Sequence, residues 1–298
     1  MPESSTLLAP PPAVTPPAAA AATPRRRRRV NWRSALVVTA LAAGALLMIF
    51  PFLWTVVTSI SSGGNVLSTP HLIPEHPGLG GYRTLAATLP IWRIAVNSLG
   101  LAAVSTLLLL ATSSMAAYAF ARIEFRGRNA IFVCYLATLM VPMQVLVVPL
   151  FIEMRELDLV DTYAALLAPT VASAFGVFLL RQAIAVLPIE LDEAAFLDGA
   201  GHVRIFLRIV LPLIRPALVT YGLFAFMSSW NGFLWPLVII RSPEFMTLPL
   251  GLSSLSGEHT TEWSAIMAGS VVSILPILAL YVFAQKHIVQ SVAQAGLK

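Results

Sequence analysis

Residues 188–212 read PIELDEAAFLDGAGHVRIFLRIVLP, and this stretch decides how the rest of the chain is interpreted. Pro188 is followed by three acidic residues, which predicts the start of a helix because proline suits a first turn and acids complement the positive end of the helix dipole. Gly199 is placed to end that helix, which we predict over roughly 189–198. The three acids are Glu190, Asp192 and Glu193.

One side of the predicted helix carries apolar and small residues at i, i+3 and i+4 spacing, namely Leu191, Ala194 and Ala195. The two alanines leave room for another surface to come close. Ile205 and Ile209 also have helical spacing and predict a second short helix, which we expect Pro212 to end. The segment therefore predicts two short helices separated by a glycine.

The composition of the chain is that of a membrane protein. Apolar residues make up 57% and charged residues 11%, and the mean hydropathy is +0.81. A helix needs about 20 apolar residues to cross the hydrocarbon core of a bilayer. Six runs of about that length or longer contain no Asp, Glu, Lys or Arg, so we predict six transmembrane helices, the first ending near Thr58. The runs are 34–74, 94–121, 129–152, 162–180, 216–240 and 263–285.

Lys and Arg are distributed unevenly between the two sides of this predicted topology. Cytoplasmic segments of membrane proteins are enriched in these residues. With the N-terminus inside, 15 of the 19 basic residues lie on the inside, so both termini and the segment 188–212 are predicted to be cytoplasmic. The four basic residues outside are Arg83, Arg93, Arg155 and Arg241.

The N-terminal region differs from the rest of the chain. Residues 1–24 are rich in Pro and Ala and cannot bury enough apolar surface to fold, so we predict a disordered cytoplasmic tail over 1–33 and a transmembrane domain over 34–298. The Arg25–Arg29 run is interpreted as a topogenic anchor that contacts anionic lipid. Nucleic-acid binding and a twin-arginine export signal are the alternatives. The apolar stretch that follows exceeds the roughly 7–15 apolar residues of a signal peptide, which argues against cleavage.

Seven positions of the segment 188–212 form a spaced pattern: Glu193, Ala194, Ala195, Gly199, Ile209, Leu211 and Pro212. This pattern resembles the cytoplasmic EAA loop of membrane subunits in binding-protein-dependent ABC importers. The resemblance extends from about residue 35 to the end of the chain and is strongest with the carbohydrate-uptake type, similar to the six-span permease of the maltose system. Other segments that carry it are AAYAFAR at 116–122, VPMQ at 141–144 and SWNGFLWP at 229–236.

The resemblance implies a fold, a function and a set of partners. The fold would be all-α, with six transmembrane helices in the type I ABC importer arrangement, in a bacterial plasma membrane. The chain would form half of the translocation pathway for a carbohydrate. Its partners would be a second permease subunit, a dimer of cytoplasmic ABC ATPases and an extracytoplasmic sugar-binding protein. The seven patterned residues would contact the ATPase, with Glu193 offered to a basic residue there.

Polar and aromatic side chains within the predicted spans are candidates for lining a solute pathway. Amides buried in lipid need hydrogen-bond partners, and aromatic faces suit sugar rings. Packing between neighbouring spans, or a place in an interfacial aromatic belt, is the alternative for these residues. The candidates are Asn97, Gln144, Trp230, Asn231 and Trp235.

An ion-coupled secondary transporter is the main alternative function. Such proteins place ionisable groups at membrane depth, whereas the six apolar runs contain no Asp, Glu, Lys or Arg. A membrane enzyme has less support, because the His, Cys and acidic residues show no ligand or nucleophile spacing. The chain also has no G-x-x-x-x-G-K-[ST] loop, so ATP hydrolysis is assigned to a partner. No catalytic residue, metal or cofactor is expected in this chain.

Overall fold

The computed structural model describes residues 32–61, 77–256 and 263–295. The predicted tail over 1–33 therefore lies almost entirely outside the described residues. The chain divides into two compact units, residues 1–49 and residues 50–298. The described part of the first unit is the beginning of a single helix, and the second unit holds the other helices.

Helices form nearly all of the regular structure in these three ranges, in which there is no strand and one isolated bridge joins Ser61 and Pro77. The prediction of an all-α protein is confirmed within these ranges. The α-helices are α1 (Trp32–Ser59), α2 (Gly80–Thr88), α3 (Ile91–Arg122), α4 (Arg128–Ala137), α5 (Met143–Glu156), α6 (Tyr163–Leu167), α7 (Ala174–Ala185), α8 (Glu190–Leu197), α9 (His202–Ile205), α10 (Leu211–Leu213), α11 (Arg215–Trp230), α12 (Leu234–Ile239), α13 (Leu248–Ser253) and α14 (Trp263–Ala295). A π turn, Phe206–Val210, joins α9 to α10.

Four helical stretches are long and apolar enough to cross a membrane: Ala35–Ser59, Ile91–Arg122, Arg215–Ile239 and Trp263–Phe283. Two further stretches pass the same test only as bent pairs. These are Arg128–Met140 with Met143–Glu156, bent by 99°, and Tyr163–Thr170 with Ala174–Ala185, bent by 46°. Counting each pair as one span gives six, which agrees with the predicted number of spans.

The two bends are features that hydropathy did not predict. At the first bend, Val141 is extended, with φ −89° and ψ 112°, because the residue before a proline is disfavoured in a helix, and Pro142 then precedes α5. At the second bend, Ser173 is extended and its side-chain oxygen accepts a 3.1 Å hydrogen bond from the Gly176 N–H, which caps the start of α7. Local backbone chemistry therefore interrupts runs that are uniformly apolar.

Helix α3 is the central element of the second unit and packs against α7 and α11. Its buried side is rich in small residues, which allow helices in membranes to approach closely. These residues are Ser98, Ala102, Ser105, Ser113, Ser114 and Ala117. Three of the hydroxyls form hydrogen bonds with other elements: Ser98 with the Leu248 N–H at 2.6 Å, Ser105 with Thr170 at 3.2 Å and Ser113 with Tyr221 at 3.3 Å. The buried polar groups of α3 thus tie the bundle together.

Gly81 is expected to tolerate no side chain where α2 packs on α14. A Cβ at this position would lie 2.5 Å from the Ser264 carbonyl oxygen, a backbone atom that cannot rotate away. We expect Gly81→Ala to lower stability by about 1–3 kcal/mol, because overpacking forces the backbone to shift. The measurement is thermal unfolding in detergent, with Gly100→Ala as the control, since a Cβ there meets no atom within 4 Å. Equal unfolding temperatures for the two variants would contradict this close packing.

Candidate functional site

The segment 188–212 begins with α8, so the helix predicted over 189–198 is observed within one residue at each end. Its first turn contains the three predicted acids, and Pro188 lies just before it. Its buried side is formed by Asp192 and Ala195. Leu191 and Ala194, which the helical spacing grouped with Ala195, are exposed.

Gly199 ends α8 through a left-handed backbone conformation with φ of 78°. The Ala200 N–H donates to the Ala195 carbonyl at 2.9 Å, and the Gly199 N–H donates to the Phe196 carbonyl at 3.0 Å. These two bonds are those of a Schellman motif. A Cβ on Gly199 would meet no atom within 4 Å, so the need for glycine is conformational rather than steric.

The predicted second short helix is present and consists of α9, the π turn and α10. Helix α9 continues through the π turn into α10 and ends at Leu213, within one residue of the predicted end at Pro212. Pro212 therefore lies in the last turn of this continuous stretch, and α11 begins at Arg215 after the turn at Ile214. The π turn also inserts one residue between buried positions, so Val210 rather than Ile209 follows Ile205 into the core.

The segment is anchored in the protein core rather than attached as a free loop. One buried cluster joins the segment to α3 and α7. From the segment it contains Ala195, Ile205 and Val210, and it also contains Ile214, two residues further along the chain. The cluster also contains Ala117 and Tyr118 of α3 and Leu180 and Ile184 of α7. A displacement of α8 would therefore be felt by both of these helices.

The seven patterned residues divide into an exposed and a less exposed set. Glu193, Ala194, Gly199 and Pro212 are exposed, Ala195 is buried, and Ile209 and Leu211 are half-buried. Two apolar side chains of the same segment are also exposed, Leu197 at 90% and Val203 at 72%. We call Glu193, Ala194, Leu197 and Val203 the docking patch, since apolar side chains rimmed by charge are typical of interaction sites.

A buried ion pair that sequence reasoning missed joins α8 to α3. Arg122 Nε lies 3.1 Å from Asp192 Oδ2, and only 7% and 5% of the two side chains are exposed. The Nη2 group of Arg122 also donates to the Leu187 carbonyl at 2.8 Å. In the sequence, Asp192 is one of three first-turn acids and Arg122 is one of many cytoplasmic charges. The available signal was the i, i+3 spacing that places Asp192 on the same face as Ala195.

Two of the pathway candidates are enclosed and bonded to other helices. Trp230 is 3% exposed, and its Nε1 donates to the Ser273 carbonyl of α14 at 3.1 Å. Trp235 Nε1 donates to the Ala165 carbonyl of α6 at 2.9 Å. The ring of Phe226 stacks on that of Trp230 with 6.0 Å between centroids. Each indole N–H thus joins two helices.

The amide candidates have different surroundings. Gln144 and Asn231 are exposed, and Asn231 Nδ2 donates to the Met227 carbonyl of its own helix at 2.9 Å. Asn97, near the start of α3, donates to the Glu244 carbonyl at 2.8 Å and accepts from Tyr163 Oη at 2.8 Å. Glu244 belongs to the loop that follows α12, so this loop lies beside the start of α3. Arg122 and α8 lie at the other end of α3.

A cavity of about 300 Å³ lies where three interrupted helices meet. The interruptions are those before α5, before α7 and between α11 and α12. Irregular backbone at membrane depth is tolerated where it lines a cavity. The lining includes Met143, Thr170, Ser228, Ser229, Gly232 and Trp235. Of these, Trp235 is a candidate that the sequence predicts, whereas the three hydroxyl side chains carry no sequence signal that marks them as pathway residues.

Asp161 joins the loop after α5 to the residues after α12. Its Oδ1 accepts hydrogen bonds from the N–H groups of Arg241 and Ser242, each at 2.9 Å, and its Oδ2 accepts from the Ser242 hydroxyl. These bonds favour the ionised carboxylate and hold the pKa of Asp161 below its ordinary value, and the bond from the Ser242 hydroxyl has the largest effect.

Since the pKa of Asp161 is lowered by folding, its stabilising effect is present above the ordinary pKa of 3.8 and is lost as the pH falls through the folded value. We therefore expect Asp161→Asn to unfold at a lower temperature than wild type at pH 7, with a difference that shrinks below pH 3.8. The control is Asp158→Asn. Asp158 is exposed and also has a positive φ, 54° compared with 63° for Asp161. A pH-independent difference, or an equal loss in the control, would contradict this role.

The helices and their interruptions define a multi-pass membrane protein. The segment 188–212 is anchored in the buried core on one side and exposed on the other. The chain belongs to the family described as binding-protein-dependent transport system inner membrane component, which matches residues 108–294.

Relatives of known function agree with this assignment and confirm the predicted resemblance. The chain is similar to AraQ, an arabinooligosaccharides transport system permease protein of Halalkalibacterium halodurans, with 40% identity over 207 residues, 70% of this chain and 74% of that protein. It is also similar to MalG, a trehalose/maltose transport system permease protein of Thermococcus litoralis, with 36% identity over 267 residues, 87% of this chain and 96% of that protein.

A solved structure shows the same fold. It is a bacterial ABC transporter involved in the import of the acidic polysaccharide alginate, and one of its chains matches with a TM-score of 0.77 and 25% identity. The match covers 89% of this chain and 99% of that chain. The predicted permease fold is therefore confirmed over most of the sequence.

Proposed function

We propose that this chain forms half of the translocation pathway of an ABC importer for a carbohydrate and is driven by a cytoplasmic ATPase through the segment 188–212. The proteins named above belong to transport systems for arabinooligosaccharides, for trehalose and maltose, and for alginate, which supports a carbohydrate as the solute. The single observation that carries the coupling role is α8, which is anchored in the core on one side and presents the docking patch on the other.

The proposed mechanism starts at the docking patch. An ATPase subunit would contact Glu193 and the two exposed apolar side chains. Gly199 would fix where α8 ends. The remaining patterned residues would shape the helical stretch that follows α8; they are Ile209, Leu211 and Pro212. When the ATPase dimer closes on ATP, α8 would be displaced and would carry α3 and α7 with it, because they share one buried cluster. The pathway would then close on one side of the membrane and open on the other.

The solute pathway is proposed to pass the cavity between the interrupted helices. Hydroxyl groups of Thr170, Ser228 and Ser229 can exchange hydrogen bonds with sugar hydroxyls, and the indole of Trp235 offers an apolar face. Gln144 and Asn231, both exposed beside the interruptions, are further candidates. Trp230 would act indirectly, by holding α11 against α14.

The proposed orientation places both termini and α8 in the cytoplasm. It is supported by the 15 of 19 basic residues on that side and by the location of α8 and the loop after α12 at opposite ends of α3. The Arg25–Arg29 run would contact anionic lipid, and residues 1–33 would form a cytoplasmic tail. The partners would be a second permease, an ATPase dimer and an extracytoplasmic sugar-binding protein.

The experiment is uptake of a labelled oligosaccharide by proteoliposomes that contain the complex purified on a tag attached to this chain. Uptake that needs ATP, the ATPase subunit and the binding protein is the expected result. Uptake by this chain alone, driven by an ion gradient, would overturn the proposal in favour of a secondary transporter. The ion pair Arg122–Asp192 lies at the end of α3, away from the membrane depth at which such transporters place coupling groups.

A further inference from the structure

We propose that the ion pair between Arg122 and Asp192 sets the position of α8 on α3, and so carries the movement of the ATPase into the helix bundle. This inference rests on the proposed coupling role of the segment 188–212. The two residues would be positioning residues, since neither belongs to the docking patch or borders the cavity.

The geometry places Arg122 at the junction of three elements. It is the last residue of α3, its Nε lies 3.1 Å from Asp192 on α8, and its Nη2 donates to the carbonyl of Leu187 between α7 and α8. One guanidinium therefore holds α8 and the turn before it, on both sides of Pro188. Among the described residues Arg122 Nε makes no hydrogen bond, so its contact with Asp192 is one of opposite charges, and the directional contact of the guanidinium is the hydrogen bond from Nη2 to the Leu187 carbonyl.

The other contacts around α8 involve no pair of full charges. Ala195 is a small apolar side chain, and the edge-on pair of Phe196 and His202, with 5.0 Å between ring centroids, lies within the segment 188–212 itself. Tyr118 Oη and His202 Nδ1 are 3.2 Å apart, and His202 is itself exposed. Among these contacts the ion pair is the one that is both buried and charged.

The energetics of buried ion pairs explain why stability alone does not account for this one. Removing two charges from water is costly, and well-packed apolar residues of similar volume are often as stabilising or more so. The positive charge of Arg122 at the end of α3 complements the helix dipole, which favours this sign at this place. What an ion pair adds over an apolar contact is a defined register between two elements.

A path from the ion pair into the bundle is present in the structure. Arg181 of α7 donates from Nε to the Phe120 carbonyl at 3.2 Å, two residues before Arg122, and its guanidinium lies 4.3 Å from the centre of the Phe132 ring of α4. A displacement of Arg122 would therefore act on α3 and α7 together.

The test is the paired apolar variant Arg122→Met with Asp192→Leu, purified in the full transporter complex. We expect assembly and ATP hydrolysis to persist, with the amount of solute taken up per ATP falling at least tenfold. The matched control is Arg126→Met with Glu124→Leu, two exposed charges in the loop after α3, for which uptake per ATP should equal that of wild type. Equal uptake per ATP in the paired variant and in wild type would overturn the inference.

A second variant decides the matter if the paired variant does not assemble. Arg122→Lys keeps the charge but has one ammonium nitrogen in place of the separate nitrogens that meet Asp192 and the Leu187 carbonyl, so uptake per ATP should fall while assembly is kept. Wild-type uptake per ATP in Arg122→Lys would then assign the pair to folding alone and overturn the inference. Failure of the proposed function would be seen separately, as a wild-type complex that shows no ATP-driven uptake.

Discussion

Gly199→Val is expected to abolish uptake while the protein reaches the membrane in nearly normal amounts. The backbone at this position has φ of 78°, which a β-branched residue adopts only at high cost. The two hydrogen bonds that close α8 would be lost, and the docking patch would move relative to its anchored side. Since no other atom lies within 4 Å of the missing Cβ, the packing of the core would not be disturbed directly.

Two controls separate backbone conformation from side-chain bulk in this experiment. Gly199→Asn should keep most of the uptake, because Asn enters the left-handed region more readily than other residues. Gly201→Val should transport normally, since Gly201 has φ of −85° and is equally open. Equal uptake by Gly199→Val and Gly201→Val, at equal amounts in the membrane, would show that the end of α8 does not matter for coupling.

Glu193→Lys is expected to break the contact with the ATPase. A reversed charge opposite a basic residue costs several kcal/mol, and about 3 kcal/mol is more than a hundredfold in affinity. Glu193 is exposed and the structure gives it no ion pair among the described residues, so thermal unfolding should be nearly unchanged. The measurement is recovery of the ATPase on this chain, together with uptake.

Glu190→Lys is the matched control for Glu193→Lys, because it reverses another exposed acid in the first turn of α8. Its effect on recovery of the ATPase should be smaller, since Glu190 lies outside the docking patch. An equal loss in both variants would point to the general charge of the helix start rather than to a specific contact.

The elements that the sequence predicted well are those determined by local chemistry. Pro188 with its acids and Gly199 mark the two ends of α8, and each acts through its own backbone or through its immediate neighbours. The number of spans likewise follows from apolar length. In both cases the deciding interactions lie within a few residues of one another along the chain.

The features that the sequence did not predict depend on contacts between distant segments or on irregular turns. The π turn moved the buried position from Ile209 to Val210, which a constant helical period cannot foresee. The partner of Asp192 is on another helix, so its role could not be told apart from that of Glu193. The sequence allowed packing for Trp230 and Trp235, but the helices to which their indoles bond, α14 and α6, depend on the tertiary fold.

The most direct test of coupling through α8 is a site-specific cross-link to the ATPase. Cys134, the one cysteine in the sequence, is exposed and would first be replaced by serine. A cysteine introduced at Glu193 should then cross-link to the ATPase subunit in the assembled complex, whereas one at Arg83, an exposed position of α2 on the predicted outside, should not. A cross-link from Arg83→Cys, or none from Glu193→Cys in a complex that retains its ATPase, would contradict the account.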